Sequence, residues 1–90
     1  MSDHDPVEGA YSAIADAQLD ELEATDPALY DDVLTMCEFI FTQPDRAQSM
    51  STAIRTEQGI RLRLAVPGRH PLKIFWSTDE PRVEAVFPHP

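Results

Sequence analysis

The sequence predicts a two-layer α+β domain in which a pair of helices covers one face of an antiparallel sheet. Apolar residues recur with the helical period of 3.6 up to about Thr42, and with the strand period of two from about Ile60 onwards. Turn signals, Pro-Gly at residues 67–68 and Asp-Glu-Pro at residues 79–81, divide the second part into three strands. Helices and a sheet that each have one apolar face bury those faces against each other.

The two predicted helices have recognisable beginnings and ends. Ser12 is a suitable N-cap for a first helix that runs to about residue 24. Asp26 followed by Pro27 predicts the start of the second helix, because aspartate accepts a hydrogen bond from a free N–H and proline is tolerated in the first turn. Pro44 ends this helix near residue 42. The short link between the helices predicts an antiparallel hairpin.

The three strands alternate apolar and polar residues, which is typical of an antiparallel meander with one face on the core. The chain from Pro44 to Gly59 has neither period and is expected to be irregular. A fourth strand is expected only if Val7 to Ile14 supplies one. The residues predicted to form the apolar sheet face are Ile60, Leu62, Leu64, Ile74, Trp76, Val83 and Phe87.

Residues 11–90 are expected to form one domain, preceded by a loose acidic tail from Met1 to Ala10. The only cysteine, Cys37, lies on the apolar side of the second helix and is expected in the core, as is Tyr30. One cysteine and three scattered histidines have no metal-ligand spacing, so we expect no metal and no other cofactor. Without a signal peptide or an apolar run of membrane length, a cytoplasmic protein with no membrane partner is expected.

The charges are divided unequally along the chain. Residues 1–45 contain twelve acids and no lysine or arginine, and residues 46–90 contain seven bases and four acids. The two halves therefore carry −12 and 7 − 4 = +3, which sum to the net charge of −9. In the predicted fold, most of the acids lie on the outer surface of the helices, and Arg61, Arg63, Lys73 and Arg82 lie on one face of the sheet. The negative excess disfavours general binding to nucleic acids, but it does not exclude a local basic site.

The polar face of the sheet is the candidate binding site. Several cations around an aromatic ring, Phe75, can hold phosphates and stack a base. In a ribonuclease they would also stabilise the charge on the scissile phosphate, with His89 as a candidate general acid or base. Alternatively, the cations are only the solvated face of the sheet or pair with Glu84, and His89 is an exposed terminal residue. The candidate cations are Arg61, Arg63, Lys73 and Arg82.

Several segments resemble one known family in their order and spacing. They are the helical stretch at residues 15–22, Asp-Pro-x-Leu-Tyr-x-x-Val-Leu at 26–34, Gln-Pro at 43–44, Gly-Ile-Arg-Leu-Arg-Leu at 59–64, Leu-Lys-Ile-Phe-Trp at 72–76 and Val-Glu-Ala-Val-Phe-Pro-His at 83–89. Over about residues 13–89 the chain resembles the RelE/ParE superfamily of toxins from bacterial type II toxin–antitoxin modules. Many members of that superfamily open with an N-terminal strand.

The resemblance implies a toxin that acts on ribosome-bound mRNA or on DNA gyrase, and an antitoxin protein as its partner. It leaves the enzymatic activity open. The mRNA endoribonucleases of this superfamily are usually basic and carry Arg, Lys, Tyr or His near the end of the last strand, where this chain has only His89. A degenerate, inactive relative is therefore a variant of the same hypothesis.

A second hypothesis follows from the acidic half of the sequence. In this interpretation the protein is a non-enzymatic interaction protein whose acidic helical surface binds a basic protein partner. The division of charge also allows head-to-tail contacts between copies, and hence a homo-oligomer.

Overall fold

The computed structural model describes residues 10–57, 59–78 and 81–88. Within them, three helices precede one antiparallel sheet whose strands lie in the order β1-β2-β3-β4. The fold class is α+β, as the sequence predicts. The elements are α1 (Ala13–Thr25), α2 (Pro27–Thr42), α3 (Pro44–Met50), β1 (Thr52–Thr56), β2 (Gly59–Ala65), β3 (Leu72–Ser77) and β4 (Arg82–Pro88).

The first two helices begin at the predicted capping residues. Ser12 Oγ accepts a hydrogen bond of 3.0 Å from the Ala15 N–H, and Asp26 Oδ1 accepts one of 3.2 Å from the Leu29 N–H. These contacts satisfy amide groups that the first helical turn leaves free. The second helix ends as predicted, but Pro44 also lies in the first turn of a further helix, α3.

The stretch between Pro44 and Gly59, predicted to be irregular, contains α3 and β1. The fourth strand is therefore β1 and not Val7 to Ile14, the segment that the sequence offered as a possible strand; residues 7–9 of that segment lie outside the described residues. From Ala10 onwards, that part contributes a single parallel bridge between Tyr11 and Val83. The new elements bury few residues, so neither has a hydrophobic period that the sequence could reveal. The proposed tail lies outside the described residues, apart from Ala10.

The core lies between the helices and one face of the sheet. Its largest fully buried side chain is Trp76, on the central strand β3. Cys37 is also fully buried, as predicted, and Tyr30 packs against the core with part of its side chain exposed. The buried core residues are Ala15, Leu19, Val33, Cys37, Ile40, Ala47, Leu62, Leu64, Val66, Ile74, Trp76, Val83 and Val86.

The last strand contains a β-bulge at Glu84. The pairing of β4 with β3 shifts by one residue between Phe75 and Trp76, which leaves Glu84 without a residue opposite it. One additional residue in a strand exchanges the two faces for every residue beyond it.

Two residues predicted on the apolar sheet face are exposed, for different reasons. Phe87 follows the bulge and is 42% exposed on the other face, whereas its neighbour Val86 is 4% exposed in the core. Ile60 is 56% exposed because it pairs only with Arg55 of the edge strand β1, beyond the end of the pairing between β2 and β3.

Candidate nucleic-acid interface on the sheet

The face of the sheet that points away from the helices, which we call the open face, carries most of the predicted site residues. Arg63 lies opposite Phe75, and Lys73 lies opposite Phe87. Residues directly opposite each other in an antiparallel pair share one face of the sheet. By this register, the open face contains Thr52, Ile54, Thr56, Arg61, Arg63, Ala65, Lys73, Phe75, Ser77, Arg82, Ala85 and Phe87.

Three cations surround Phe75 on this face. Arg61 and Arg63 are two residues apart on β2, and Lys73 is two residues from Phe75 on β3, so all belong to one patch. All three are half-buried, as is Phe75. Among the described residues, none of the three has a carboxylate oxygen within 4.0 Å. We call Arg61, Arg63, Lys73 and Phe75 the cation patch.

One of the two predicted alternatives, a cross-strand pair between these cations and Glu84, does not form among the described residues; the other, a merely solvated sheet face, stays a prediction. The Glu84 carboxylate instead accepts a hydrogen bond of 3.0 Å from Ser77 Oγ. The positive charges of the cation patch are therefore available to an external ligand.

Arg63 has a donor without an acceptor. Its Nε is enclosed by the protein and has no hydrogen-bond partner among the residues that the structure describes. Leaving a buried donor unpaired costs about 1–3 kcal/mol, and more for a charged group. Because this Nε is enclosed, an external anion does not reach it, and an anion on the open face would instead meet the part of the Arg63 side chain that remains exposed.

A groove of about 330 Å³ adjoins the cation patch. Phe75 and Phe87 meet in it edge to face, with ring centroids 5.3 Å apart and an interplanar angle of 86°. The groove thus offers aromatic surface together with the guanidinium of Arg61 and the carboxylate of Glu84. Its lining residues are Ser12, Ile14, Thr56, Arg61, Phe75, Glu84, Ala85 and Phe87.

The sequence did not identify Phe87 as part of this surface, because strict alternation assigns it to the core. The one available signal was the run of three apolar residues from Ala85 to Phe87, which does not fit a period of two. Such a run is compatible with a bulge, although it does not locate the extra residue.

The remaining predicted site residues lie apart from the cation patch. Arg82 is exposed and pairs with Ser77, so β3 separates it from the arginines of β2. His89, the candidate general acid or base, lies outside the described residues.

Two groups with potential nucleophilic chemistry, Cys37 and Tyr11, belong to the core. Burial raises the pKa of the Cys37 thiol to about 12; the charge of Glu38 acts in the same direction, and a hydrogen bond with Tyr11 opposes it. Burial likewise raises the pKa of Tyr11, whose ring packs edge to face against Phe41 at 5.5 Å. Both groups are therefore protonated at neutral pH.

Most of the acids among the described residues lie in α1 and α2, which cover the opposite face of the sheet. No lysine or arginine occurs in Ala13–Thr42, the stretch that forms α1 and α2. The division of charge along the sequence thus becomes a division between the helices and the open face. The exposed acids of this stretch are Asp20, Glu21, Glu23, Asp26, Asp31 and Glu38.

Two further features are absent from the part of the chain that the structure describes. No group of three or more His, Cys, Asp or Glu side chains in residues 10–57, 59–78 and 81–88 is placed to hold a metal ion. No helix in that part of the chain has both the length and the apolar character needed to cross a bilayer.

Comparisons with known proteins identify no relative. The chain matches no protein-family model, no curated protein and no solved structure.

Proposed function

We propose that this protein is a toxin-like component of a type II toxin–antitoxin module, and that the cation patch binds its target, ribosome-bound mRNA. The observation that carries the proposal is that Arg61, Arg63 and Lys73 adjoin Phe75 on one sheet face with no carboxylate partner among the described residues. Single-stranded RNA presents phosphates to cations and flat bases to aromatic rings. The chemistry of the cation patch is complementary to both.

Two features of the fold support the RelE/ParE-like part of the proposal. The helices and the strands β2, β3 and β4 occur at the positions of the motifs that carry the resemblance. The parallel bridge between Tyr11 and Val83 lies where the resemblance implies an N-terminal strand. The proposal also includes an antiparallel hairpin of α1 and α2. A single residue, Asp26, joins the two helices, and so short a link supports this arrangement.

We prefer mRNA to DNA gyrase as the target because of Arg63. Its guanidinium has no carboxylate partner among the described residues, and the phosphate oxygens of RNA would offset its charge. The proposal concerns binding: whether bound RNA is cut is a separate question, since His89 lies outside the described residues.

Growth inhibition tests the proposal. We would express the chain from a tightly regulated promoter and count colonies, beside the variant Arg61→Ala/Arg63→Ala. The matched control is Arg46→Ala/Arg55→Ala, which removes the same charge from the exposed surface of α3 and from the edge strand β1. We expect the wild type and the control to reduce colony number and the first variant to restore it. Normal growth with folded wild-type protein would contradict an active toxin.

A further inference from the structure

The open face changes its chemistry along β3. Lys73, Phe75 and Ser77 follow one another at two-residue steps on the same face of this strand. Lys73 lies opposite Phe87, whose ring meets that of Phe75, and Ser77 Oγ donates a hydrogen bond of 3.0 Å to the Glu84 carboxylate. The surface therefore runs from a cation, over two aromatic rings, to a carboxylate.

The Glu84 carboxylate is held in place where it lines the groove beside the cation patch. The hydroxyl that bonds to it belongs to Ser77, which is only 9% exposed. The backbone of Glu84 is held as well, because Ser12 Oγ donates to its carbonyl. Each carboxylate oxygen has two lone pairs, so the bond from Ser77 leaves acceptor sites for a ligand. The groove thus presents an oriented group that can only accept hydrogen bonds.

Arg61 brings hydrogen-bond donors to the same groove. One of its terminal nitrogens donates to the Ile60 carbonyl at 3.3 Å, and a guanidinium has five N–H groups in total. Arg61 and Glu84 are not within the 4.0 Å of an ion pair, so neither neutralises the other. A ligand in the groove therefore meets donors and acceptors on separate side chains, beside aromatic surface.

We propose that this groove is a pocket for one base of the bound RNA and that it selects guanine. The inference rests on the proposed binding of RNA to the cation patch, and it adds the identity of the base. A carboxylate repels phosphates, so the phosphates lie at the cation patch and Glu84 meets the edge of a base. Phe87, which is 42% exposed, offers its ring for stacking.

Guanine fits the groove better than the other three bases do. Its N1–H and its N2 amino group are adjacent donors, which one carboxylate accepts together. In adenine, cytosine and uracil, the donor on the Watson–Crick edge lies next to a ring nitrogen or a carbonyl oxygen, which a carboxylate repels. Guanine also carries O6 and N7, the acceptors that arginine contacts most often in nucleic acids. Arg61 supplies the donors for them.

Short labelled RNAs that differ at one position test the pocket. We would place guanosine, adenosine, cytidine or uridine at the centre of an otherwise identical oligonucleotide of uridines and measure its binding to the full chain by fluorescence anisotropy. We expect the RNA with guanosine to bind about tenfold more tightly than the other three, a factor within the discrimination that one bidentate contact provides.

A matched pair of variants assigns the preference to Glu84. Glu84→Gln keeps an oxygen that accepts from Ser77 but replaces the other by an amino group, so it should abolish the preference for guanosine without weakening binding of the all-uridine RNA. Glu38→Gln makes the same change on the exposed surface of α2, outside the groove, and should keep the preference.

The outcomes separate this inference from the proposed function. Equal binding of the four RNAs, a preference that survives Glu84→Gln, or a preference that Glu38→Gln also abolishes would overturn the guanine pocket and leave RNA binding intact. If no RNA bound to the folded wild-type chain, the proposed function would fall together with the pocket.

Discussion

The indole Nε1 of Trp76 donates a hydrogen bond of 3.1 Å to Ser51 Oγ. Trp76 is fully buried at the centre of the core, and Ser51 is the single residue between α3 and β1. Ser51 Oγ in turn donates to the Ala47 carbonyl at 2.7 Å. The polar atom of the largest core side chain is thus satisfied by the segment that carries no periodic signal in the sequence.

Removing this hydroxyl should destabilise the protein measurably. In Ser51→Ala, the buried Trp76 Nε1 loses its acceptor, so we expect the free energy of unfolding to fall by about 1–3 kcal/mol. Urea unfolding followed by circular dichroism measures it. The control is Ser49→Ala, because Ser49 Oγ also bonds a backbone carbonyl, that of Arg46 at 2.9 Å, but on the exposed surface. We expect less than about 0.5 kcal/mol for the control, and equal losses would contradict the structural role of Trp76 Nε1.

Binding of single-stranded RNA should depend on Arg63 and on salt. We expect Arg63→Gln to weaken binding and to reduce the slope of log K against log salt by about 0.7, the value for one lost phosphate contact on a single strand. Fluorescence anisotropy with a short labelled RNA at several salt concentrations measures both. Arg46→Gln, on exposed α3, should leave the slope unchanged. If both variants reduced it equally, the contact would be unspecific.

The bulge at Glu84 predicts opposite effects at two adjacent positions. Val86→Asn places an amide in the core and should cost more than about 2 kcal/mol. Phe87→Asn should cost less than about 1.5 kcal/mol, because it removes mainly the edge-to-face contact with Phe75 on the open face. Urea unfolding of both variants decides the register. The reverse order of stabilities would mean that β4 alternates without a bulge.

Stability should fall at alkaline pH. Burial raises the pKa of Cys37 from 9.0 to about 12, and it also raises that of Tyr11. Between about pH 9 and about pH 12, the folded chain therefore binds more protons than the unfolded chain. The stability that the protonated thiol contributes is complete below about pH 9 and is lost as the pH rises through the folded pKa. Urea midpoints between about pH 7 and about pH 11 measure the slope. Cys37→Ala should be less stable at neutral pH but show a shallower alkaline decline; an unchanged decline would exclude the thiol as its cause.

Much of the cation patch was predictable because it depends on short-range rules. The alternation within β2 and within β3 puts Arg61 with Arg63 and Lys73 with Phe75, and the turn at residues 67–68 brings the two strands side by side. Phe87 was not predictable, because its face depends on the bulge. That the Arg63 Nε has no acceptor among the described residues is likewise a property of the packed neighbours, which no local pattern reports.

The sequence by itself determined the starts of α1 and α2, the positions of β2, β3 and β4 and the separation of acids from bases, since caps and periods act within a few residues. The tertiary structure alone decided that β1 completes the sheet and that β4 bulges. The bulged strand is held from far along the chain: Ser12 Oγ donates to the Glu84 carbonyl, and Gln18 Oε1 accepts from the Val86 N–H at 2.7 Å. These partners are 72 and 68 residues apart, so only the folded chain brings together the groups that set the face of Phe87.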